Sequence, residues 1–180
     1  LAHPAMADHI TFEWPEWLMS DTKVGLGDKV EHELGALLVE APTDVRINLL
    51  KLSDRRKLRD KLAERGITGH LTQLSPLGVR VDRRSRFEDL PEWKAGLFEV
   101  QDEGSQLAAM LCDAQPGMQI ADICAGAGGK SLVMAANMQN KGRILALDPN
   151  AERLKQGGER FRRAGIHNVE RKLVTERWSS

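Results

Sequence analysis

The chain has 180 residues, with 26 basic and 26 acidic side chains and therefore a formal net charge of zero. Hydrophobic residues make up 41% and charged residues 29%, a balance that is typical of a folded globular protein and excludes a disordered one. The two cysteines, Cys112 and Cys124, are too few for a disulfide framework and lack the paired spacing of a metal site. We therefore expect a reducing, cytoplasmic environment and no metal.

Charge is distributed unevenly along the chain. Residues 1–43 carry a net charge of −6 and residues 44–94 carry +5, followed by −2 over 95–143 and +3 over 144–180. Blocks of opposite sign indicate separate surfaces with separate partners. The basic segment, residues 44–94, is where we expect a polyanion to bind, although a merely solvated basic face would give the same pattern.

The first predicted elements are helical. A short apolar element begins near Trp14, and the periodicity over residues 28–40 predicts a helix that ends before Pro42. Its apolar stripe consists of Val30, Leu34, Leu37 and Leu38.

Residues 44–100 predict a small α+β unit in the order strand, helix and three strands. Alternation along the first strand places Arg46 and Asn48 on one face. The helix is expected to run from a cap at Ser53 to Arg65, with a buried leucine pair. The strands are predicted over residues 45–50, 70–74, 78–82 and 97–100.

From residue 101 onward, helices and strands alternate. A helix over 102–112, with Leu107, Met110 and Leu111 facing inward, precedes the first strand of this part. Strand, helix, strand, helix, strand at this spacing predicts a parallel sheet with right-handed crossovers. The strands are predicted over 118–123, 143–148 and 169–174, and the helices between them over 129–139 and 150–165.

A glycine-rich loop connects the first of these strands to the next helix. It runs from Asp122 to Ser131 and reads Asp-Ile-Cys-Ala-Gly-Ala-Gly-Gly-Lys-Ser. Small residues let the backbone approach a ligand closely, and the start of the helix supplies free N–H groups. This position in a parallel sheet is where such folds bind nucleotides and related cofactors.

Three ligands use a loop of this kind. A nucleotide-phosphate loop needs a glycine where Cys124 stands, and a dinucleotide loop needs a third glycine where Ser131 stands. The acidic-x-small-x-Gly-x-Gly loop of S-adenosylmethionine-dependent methyltransferases matches, with Cys124 in place of a first glycine. Asp148 ends the next strand and suits the ribose hydroxyls of either adenosylmethionine or a dinucleotide. The residues favour adenosylmethionine and leave a dinucleotide or a ligand-free loop open.

Several motifs together resemble the Sun-type (Nol/Nop/Sun) RNA cytosine-5 methyltransferases. The resemblance is carried by Gln101-Asp102-Glu103-Gly104-Ser105-Gln106, by Pro116-Gly117 and by the loop, which in the family usually reads D-x-C-A-A-P-G-G-K-T. Upstream, the segment 41–48 is similar to the family's recurring A-P-x-x-x-R-x-N. The departures within the loop are Ala127 for the proline and Ser131 for the threonine.

The resemblance implies three regions. Residues 1–43 would form an N-terminal helical segment, residues 44–100 a ferredoxin-like RNA-binding unit, and residues 101–180 the first half of a Rossmann-like domain that binds S-adenosyl-L-methionine. We expect Arg46 and Asn48 to contact RNA, most often ribosomal RNA in this family. The cofactor contacts implied by position are Cys124, Ala125, Gly126, Ala127, Gly128, Gly129, Lys130 and Asp148. Glu176 stands near the place of a further cofactor-contacting aspartate of the family.

Catalysis in this family uses a cysteine thiolate that attacks carbon 6 of cytosine and a second cysteine that takes the proton from carbon 5. Both lie on loops after the fourth and fifth strands, so we expect them beyond Ser180 and expect the chain to be an N-terminal fragment that is inactive alone. Cys124 is interpreted as a cofactor-loop residue and Cys112 as a buried structural one. A sheet left with an unpaired edge would promote self-association.

Two other functions remain possible on sequence grounds. One is a non-catalytic RNA-binding module with a Rossmann scaffold, and the other is an NAD-dependent oxidoreductase, which Ser131 disfavours.

Overall fold

A computed structural model describes residues 6–175 of the chain. Its internal contacts divide the described residues into two compact units, one ending at Ala41 and the other beginning at Pro42. Within the described residues, no helix combines the length and apolar character needed to cross a membrane. The second unit contains two separate sheets, one antiparallel and one parallel.

The first unit is helical, as the periodicity predicts. A side-chain hydrogen bond links two parts of this unit: the indole Nε1 of Trp14 donates to Thr22 Oγ1 at 2.9 Å. Leu34 is buried, whereas Leu37 and Leu38 are exposed, so the predicted apolar stripe is covered only in part. The elements are α1 (Asp8–Thr11), α2 (Glu16–Leu26), a 3-10 turn (Gly27–Lys29) and α3 (Val30–Leu37).

The antiparallel sheet has the strand order β2-β3-β1-β4 and carries two helices. Asp54, rather than the predicted Ser53, caps α4, because its carboxylate accepts the N–H of Arg56 at 2.8 Å. Leu58 and Leu62 of this helix are buried against the sheet, as expected. The elements are β1 (Thr43–Ile47), α4 (Arg55–Glu64), β2 (Gly69–Leu71), β3 (Gly78–Val81), α5 (Pro91–Lys94) and β4 (Phe98–Val100).

The parallel sheet has the order β5-β6-β7, which confirms the predicted α/β architecture. Asn150 caps α8 through its side-chain oxygen, which accepts the N–H of Arg153 at 3.0 Å. Leu154 and Phe161 on one face of that helix are buried. The elements are α6 (Glu103–Leu111), β5 (Gln119–Asp122), α7 (Gly129–Asn137), β6 (Arg143–Asp148), α8 (Ala151–Ala164) and β7 (Val169–Leu173).

Strand β1 has one apolar and one polar face, and both are buried. Val45 and Ile47 lie in the core under α4, while Arg46 and Asn48 on the opposite face are each 2% exposed. Asn48 Nδ2 donates to the carbonyl of Ala164 in α8 at 2.8 Å. The polar face of the small sheet is therefore an internal contact with the parallel-sheet part of the same unit.

For α6, Met110 packs against the core as expected, but the inward position of Leu111 and the burial of Cys112 are wrong. Gln106 and Ala109 are its buried residues, whereas Leu111 is 86% exposed. Cys112, expected to be buried, is exposed, with its thiol near the carbonyl of Ala108. The polar contacts of Gln106 determine which face of α6 points inward. A pattern of apolar residues does not detect such contacts.

Candidate functional site

The glycine-rich loop lies where the sequence predicts, between the carboxyl end of β5 and the start of α7. Gly126 and Gly128 have φ angles of 54° and 78°, in the left-handed region that favours glycine. At Gly128 a Cβ atom would lie 2.4 Å from the ring of Phe161, so no larger residue fits there. At Gly126 a Cβ would meet no atom within 4 Å, which leaves open space beside the loop backbone.

The loop closes on the end of β6. The N–H of Ala125 donates to the carbonyl of Leu147 at 2.9 Å, and the N–H of Gly126 donates to Asp148 Oδ2 at 2.8 Å. The other carboxylate oxygen of Asp148 accepts the N–H of Asn150, also at 2.8 Å. Asp148 is 5% exposed and joins the loop to the first turn of α8, so the structure brings together these predicted site residues.

A second carboxylate stands on the other side of the loop. Asp122 Oδ2 accepts the hydroxyl of Ser131 at 2.6 Å, which ties the end of β5 to the first turn of α7. The sequence treats Ser131 as a departure from two motifs, whereas in the structure it is buried and orients the acidic residue.

The predicted cofactor residues differ in exposure. Cys124 and Lys130 are exposed, and the other predicted cofactor residues are partly or fully buried. Lys130 lies close enough to Asp102 to affect it electrostatically. Burial raises the pKa of Asp102, but hydrogen bonds from Ser105 and the charge of Lys130 outweigh it, and the net pKa is lower than usual.

The Gln-Asp-Glu-Gly-Ser-Gln motif fastens α6 to its surroundings. Asp102 caps the helix by accepting the N–H of Ser105 at 2.8 Å. Glu103 Oε1 accepts the N–H groups of Leu74 and Ser75 at 2.6 and 2.7 Å. These backbone hydrogen bonds, that of Ser75 first, lower the pKa of Glu103 against the opposing effect of burial.

Arg46 and Asn48 do not form an RNA-contacting surface, which corrects the expectation. The Arg46 guanidinium is buried and donates to Gln101 Oε1 and to the carbonyls of Ile47 and Gly129. Burial lowers its pKa to about 10, with Glu99 acting in the opposite direction, so the side chain is still charged at neutral pH. Alternation correctly places both residues on one face, but that face is covered by the rest of the unit.

Sequence reasoning missed a further contact with the loop. Arg160 of α8 donates from Nη1 to the carbonyl of Ala127 at 3.0 Å and from Nε to Glu99 Oε2 at 3.0 Å. No local pattern signals this role, since an arginine in an amphipathic helix is ordinarily solvated.

The arrangement suits an organic ligand that has hydroxyl groups and a polar, charged end. Two carboxylates, Asp122 and Asp148, flank a loop whose helix start offers backbone N–H groups. Among residues 6–175 no cluster of side chains could hold a metal ion. Glu176, the candidate for an additional cofactor contact, lies outside the described residues.

Two family descriptions match successive parts of the chain. Residues 14–88 match the ferredoxin-like domain of the RsmF/B-like methyltransferases. Residues 109–177 match the family described as 16S rRNA methyltransferase RsmB/F.

Curated relatives with similar sequences include bacterial and animal proteins. The chain is 31% identical to the probable ribosomal RNA small subunit methyltransferase B of Synechocystis sp., over 88% of this chain and 36% of that protein. It is 37% identical to the human 28S rRNA (cytosine(4447)-C(5))-methyltransferase, over 80% of this chain and 18% of that protein. The chain thus spans about a third or less of the length of these relatives.

Solved structures show the same fold. A methyltransferase homolog from Pyrococcus horikoshii superposes with a TM-score of 0.82 at 26% identity, covering 97% of this chain and 57% of that one. NSun6 from the same organism, solved with SFG, superposes with a TM-score of 0.78 at 18% identity over 89% of this chain and 65% of that one. Both sheets, the loop motif and these matches lead to one conclusion: the chain belongs to the Sun-type (RsmB/F) family of RNA cytosine-5 methyltransferases.

Proposed function

We propose that the protein transfers a methyl group from S-adenosyl-L-methionine to carbon 5 of a cytosine in ribosomal RNA. The observation that carries this proposal is the glycine loop after β5, whose Gly126 N–H is bound by the Asp148 carboxylate at the end of β6. Support comes from the relatives, whose names specify ribosomal RNA and cytosine C5.

The residues fit this cofactor. Each carboxylate oxygen of Asp148 accepts one backbone N–H, and a carboxylate has lone pairs for further donors such as the two ribose hydroxyls. The open space beside Gly126 leaves room for the ligand to approach the backbone. A structural relative, NSun6 from Pyrococcus horikoshii, was solved with SFG, an analogue of S-adenosylmethionine.

We assign the parts of the reaction as follows. When bound, the cofactor supplies an activated methyl group on its sulfonium. Asp148 would hold the ribose and residues 124–130 would line the cofactor, while Asp122 with Ser131 orients the start of α7. Cys124 lies in this cofactor loop, and we do not assign it the role of the nucleophile.

We further propose that three segments of the chain have different roles. Residues 44–100 would be the RNA-facing, ferredoxin-like part, residues 101–180 the cofactor-binding part, and residues 1–43 a helical N-terminal segment. With two unpaired cysteines and a ribosomal RNA substrate, the protein would work in the cytoplasm.

Calorimetry with the whole protein tests the cofactor assignment. S-adenosylhomocysteine should bind, and NAD should not. If NAD binds and S-adenosylhomocysteine does not, the oxidoreductase alternative is favoured. If neither ligand binds, a non-catalytic scaffold is favoured. Incubation of the protein with methyl-tritiated adenosylmethionine and ribosomal RNA then tests transfer. The labelled methyl group should become attached to carbon 5 of cytosine.

RNA affinity is proposed to come from exposed basic residues of the segment 44–94. Arg83, Arg84 and Arg86 lie in an exposed loop after β3, and Arg56 and Lys57 lie on the exposed side of α4. Binding should weaken with salt, with a log–log slope of roughly −0.7 for each phosphate neutralised on a single strand. Charge reversal of Arg83 and Arg84 together should reduce that slope, whereas Arg153→Glu, on exposed α8 surface, serves as a control. An unchanged slope would exclude this surface.

A further inference from the structure

Two arginine side chains donate hydrogen bonds to the backbone of the cofactor loop. Two of its carbonyls accept hydrogen bonds from outside the loop: that of Ala127 from Arg160 Nη1 at 3.0 Å, and that of Gly129 from Arg46 Nη2 at 3.4 Å. A peptide unit is planar, so orienting a carbonyl also orients the N–H of the next residue. The Ala127 carbonyl shares its peptide unit with the Gly128 N–H, which donates to the carbonyl of Ala125 at 2.8 Å, so Arg160 helps to fix the turn of the loop. The Gly129 carbonyl shares its peptide unit with the Lys130 N–H in the first turn of α7, which Arg46 therefore orients.

Both arginines lie next to the same buried carboxylate, Glu99 of β4. Glu99 is 1% exposed and accepts Arg160 Nε at 3.0 Å and Arg163 Nη2 at 2.6 Å. Its charge also acts favourably on Arg46. A buried carboxylate is maintained only when such partners compensate for its lost hydration. Glu99 belongs to the antiparallel sheet, whereas the loop belongs to the parallel one.

Helix α8 touches the loop at three successive positions of one face. A Cβ on Gly157 would lie 3.4 Å from the carbonyl carbon of Ala127, and the ring of Phe161 packs directly under Gly128. Arg160 supplies the polar contact between these two apolar ones. The Arg160 guanidinium therefore connects Glu99 to the loop, because it is hydrogen-bonded to both.

We propose that Arg160, oriented by Glu99, is a positioning residue for the cofactor loop, so that the small antiparallel sheet contributes to cofactor affinity. The inference rests on the proposed function, since it assigns the residue that prepares the same loop for its ligand. The proposal gives the buried ion pair between Glu99 of β4 and Arg160 of α8 a role beyond holding these two elements together.

The chain offers a matched control for Arg160. Arg163 also binds Glu99, and the side chains of Arg160 and Arg163 are 22% and 20% exposed. Of these two, only Arg160 has a hydrogen bond to the loop among the described residues. Arg160→Met and Arg163→Met each remove one partner of Glu99 and keep an aliphatic stem. Both should lower the thermal unfolding midpoint, and Arg163→Met also removes the cation–π contact of Arg163 with the ring of Trp93.

The two variants should differ in their affinity for the ligand. By calorimetry, Arg160→Met should weaken the affinity for S-adenosylhomocysteine by about tenfold, the loss expected for one charge-assisted hydrogen bond, while Arg163→Met should change it less than about twofold. Without ligand, amide hydrogen exchange at residues 126–130 should accelerate in Arg160→Met and not in Arg163→Met.

The outcomes distinguish the proposals. Equal losses of affinity in both variants, or no loss in Arg160→Met while the wild type binds, would overturn the positioning role. If the wild type binds no S-adenosylhomocysteine, the proposed cofactor is wrong, and hydrogen exchange alone decides whether Arg160 orders the loop. Unchanged exchange at residues 126–130 in Arg160→Met would also overturn it.

Discussion

At the scale of single residues, burial decides what a charged side chain does. Arg46 is interpreted from sequence as an RNA contact because it lies in a basic segment on a polar strand face. In the structure its partners come from distant residues, Gln101 and Gly129, so its charge serves the interior. The isolated strand pattern contains no information about what covers its polar face.

Asp148 should determine cofactor affinity. Replacing it with alanine removes the acceptor of the Gly126 N–H and the proposed acceptor of the ribose hydroxyls, so we expect Asp148→Ala to weaken S-adenosylhomocysteine binding by roughly 1–3 kcal/mol. Calorimetry with the whole protein measures this change. Asp60→Ala, at an exposed position of α4, is the control and should leave the dissociation constant unaltered. An unaffected Asp148→Ala variant would mean that the pocket lies elsewhere.

Glu103 should stabilise the fold in a pH-dependent way. Its carboxylate accepts two backbone N–H groups, and Glu103→Ala, which leaves them unpaired, should cost about 2 kcal/mol of unfolding free energy at pH 7. Because the folded pKa is lower than usual, the contribution is complete above the ordinary glutamate pKa and is lost as the pH falls through the folded value.

Urea unfolding between pH 7 and pH 3 tests this prediction. The difference between wild type and Glu103→Ala should shrink as the solution becomes more acidic than about pH 4. Glu152→Ala, at an exposed position of α8, controls for general loss of a carboxylate. A difference that stays constant over this range would show that the charge of Glu103 contributes nothing.

At the scale of elements, periodicity identifies helices well but not their precise contacts. Helix α8 forms as predicted despite Gly157 and Gly158 in its interior, each of which costs up to about 1 kcal/mol relative to alanine. The structure supplies separate reasons for the two glycines. Gly157 lies against the backbone of Ala127, and Gly158 lies under the guanidinium of Arg171.

The two glycines should respond differently to alanine. At Gly157 the nearest atom outside the helix would be 3.4 Å from the new Cβ, an ordinary contact, so Gly157→Ala should gain up to about 1 kcal/mol of stability. At Gly158 the Cβ would lie 2.3 Å from Arg171 Nη1 and displace its hydrogen bond to the Leu154 carbonyl. We expect no gain from Gly158→Ala. Urea unfolding of both variants measures the difference, and equal gains would contradict it.

At the scale of the whole molecule, the parallel sheet has an open edge. Strand β5 pairs with β6 on one side, and on its other side no strand among residues 6–175 adjoins it. Gln119 and Ala121 of this strand are exposed, and Ile123 just after it is 70% exposed. An unpaired edge with apolar neighbours is a template for association with another chain.

The 180-residue chain should therefore self-associate, or its parallel-sheet part should be less protected than its antiparallel part. Light scattering over a range of concentrations and amide hydrogen exchange measure these two properties. Ala121→Lys places a charge at the exposed edge and should reduce any association. A strictly monomeric chain with strong protection across residues 118–148 would show that β5 needs no second neighbour.

The sequence by itself determined the order of the strands and of the longer helices, though not the short helix α5 between β3 and β4, and also the parallel arrangement of the later strands, the position of the glycine loop and the family. These features depend on local periodicity, on caps such as Asn150 and on a contiguous motif, all of which are present in a linear stretch. The tertiary structure alone decided that the polar face of β1 is internal and that Arg160 supports the loop. Those facts depend on partners such as Glu99, which lies 61 residues from Arg160, because burial and ion pairing depend on which distant surfaces meet.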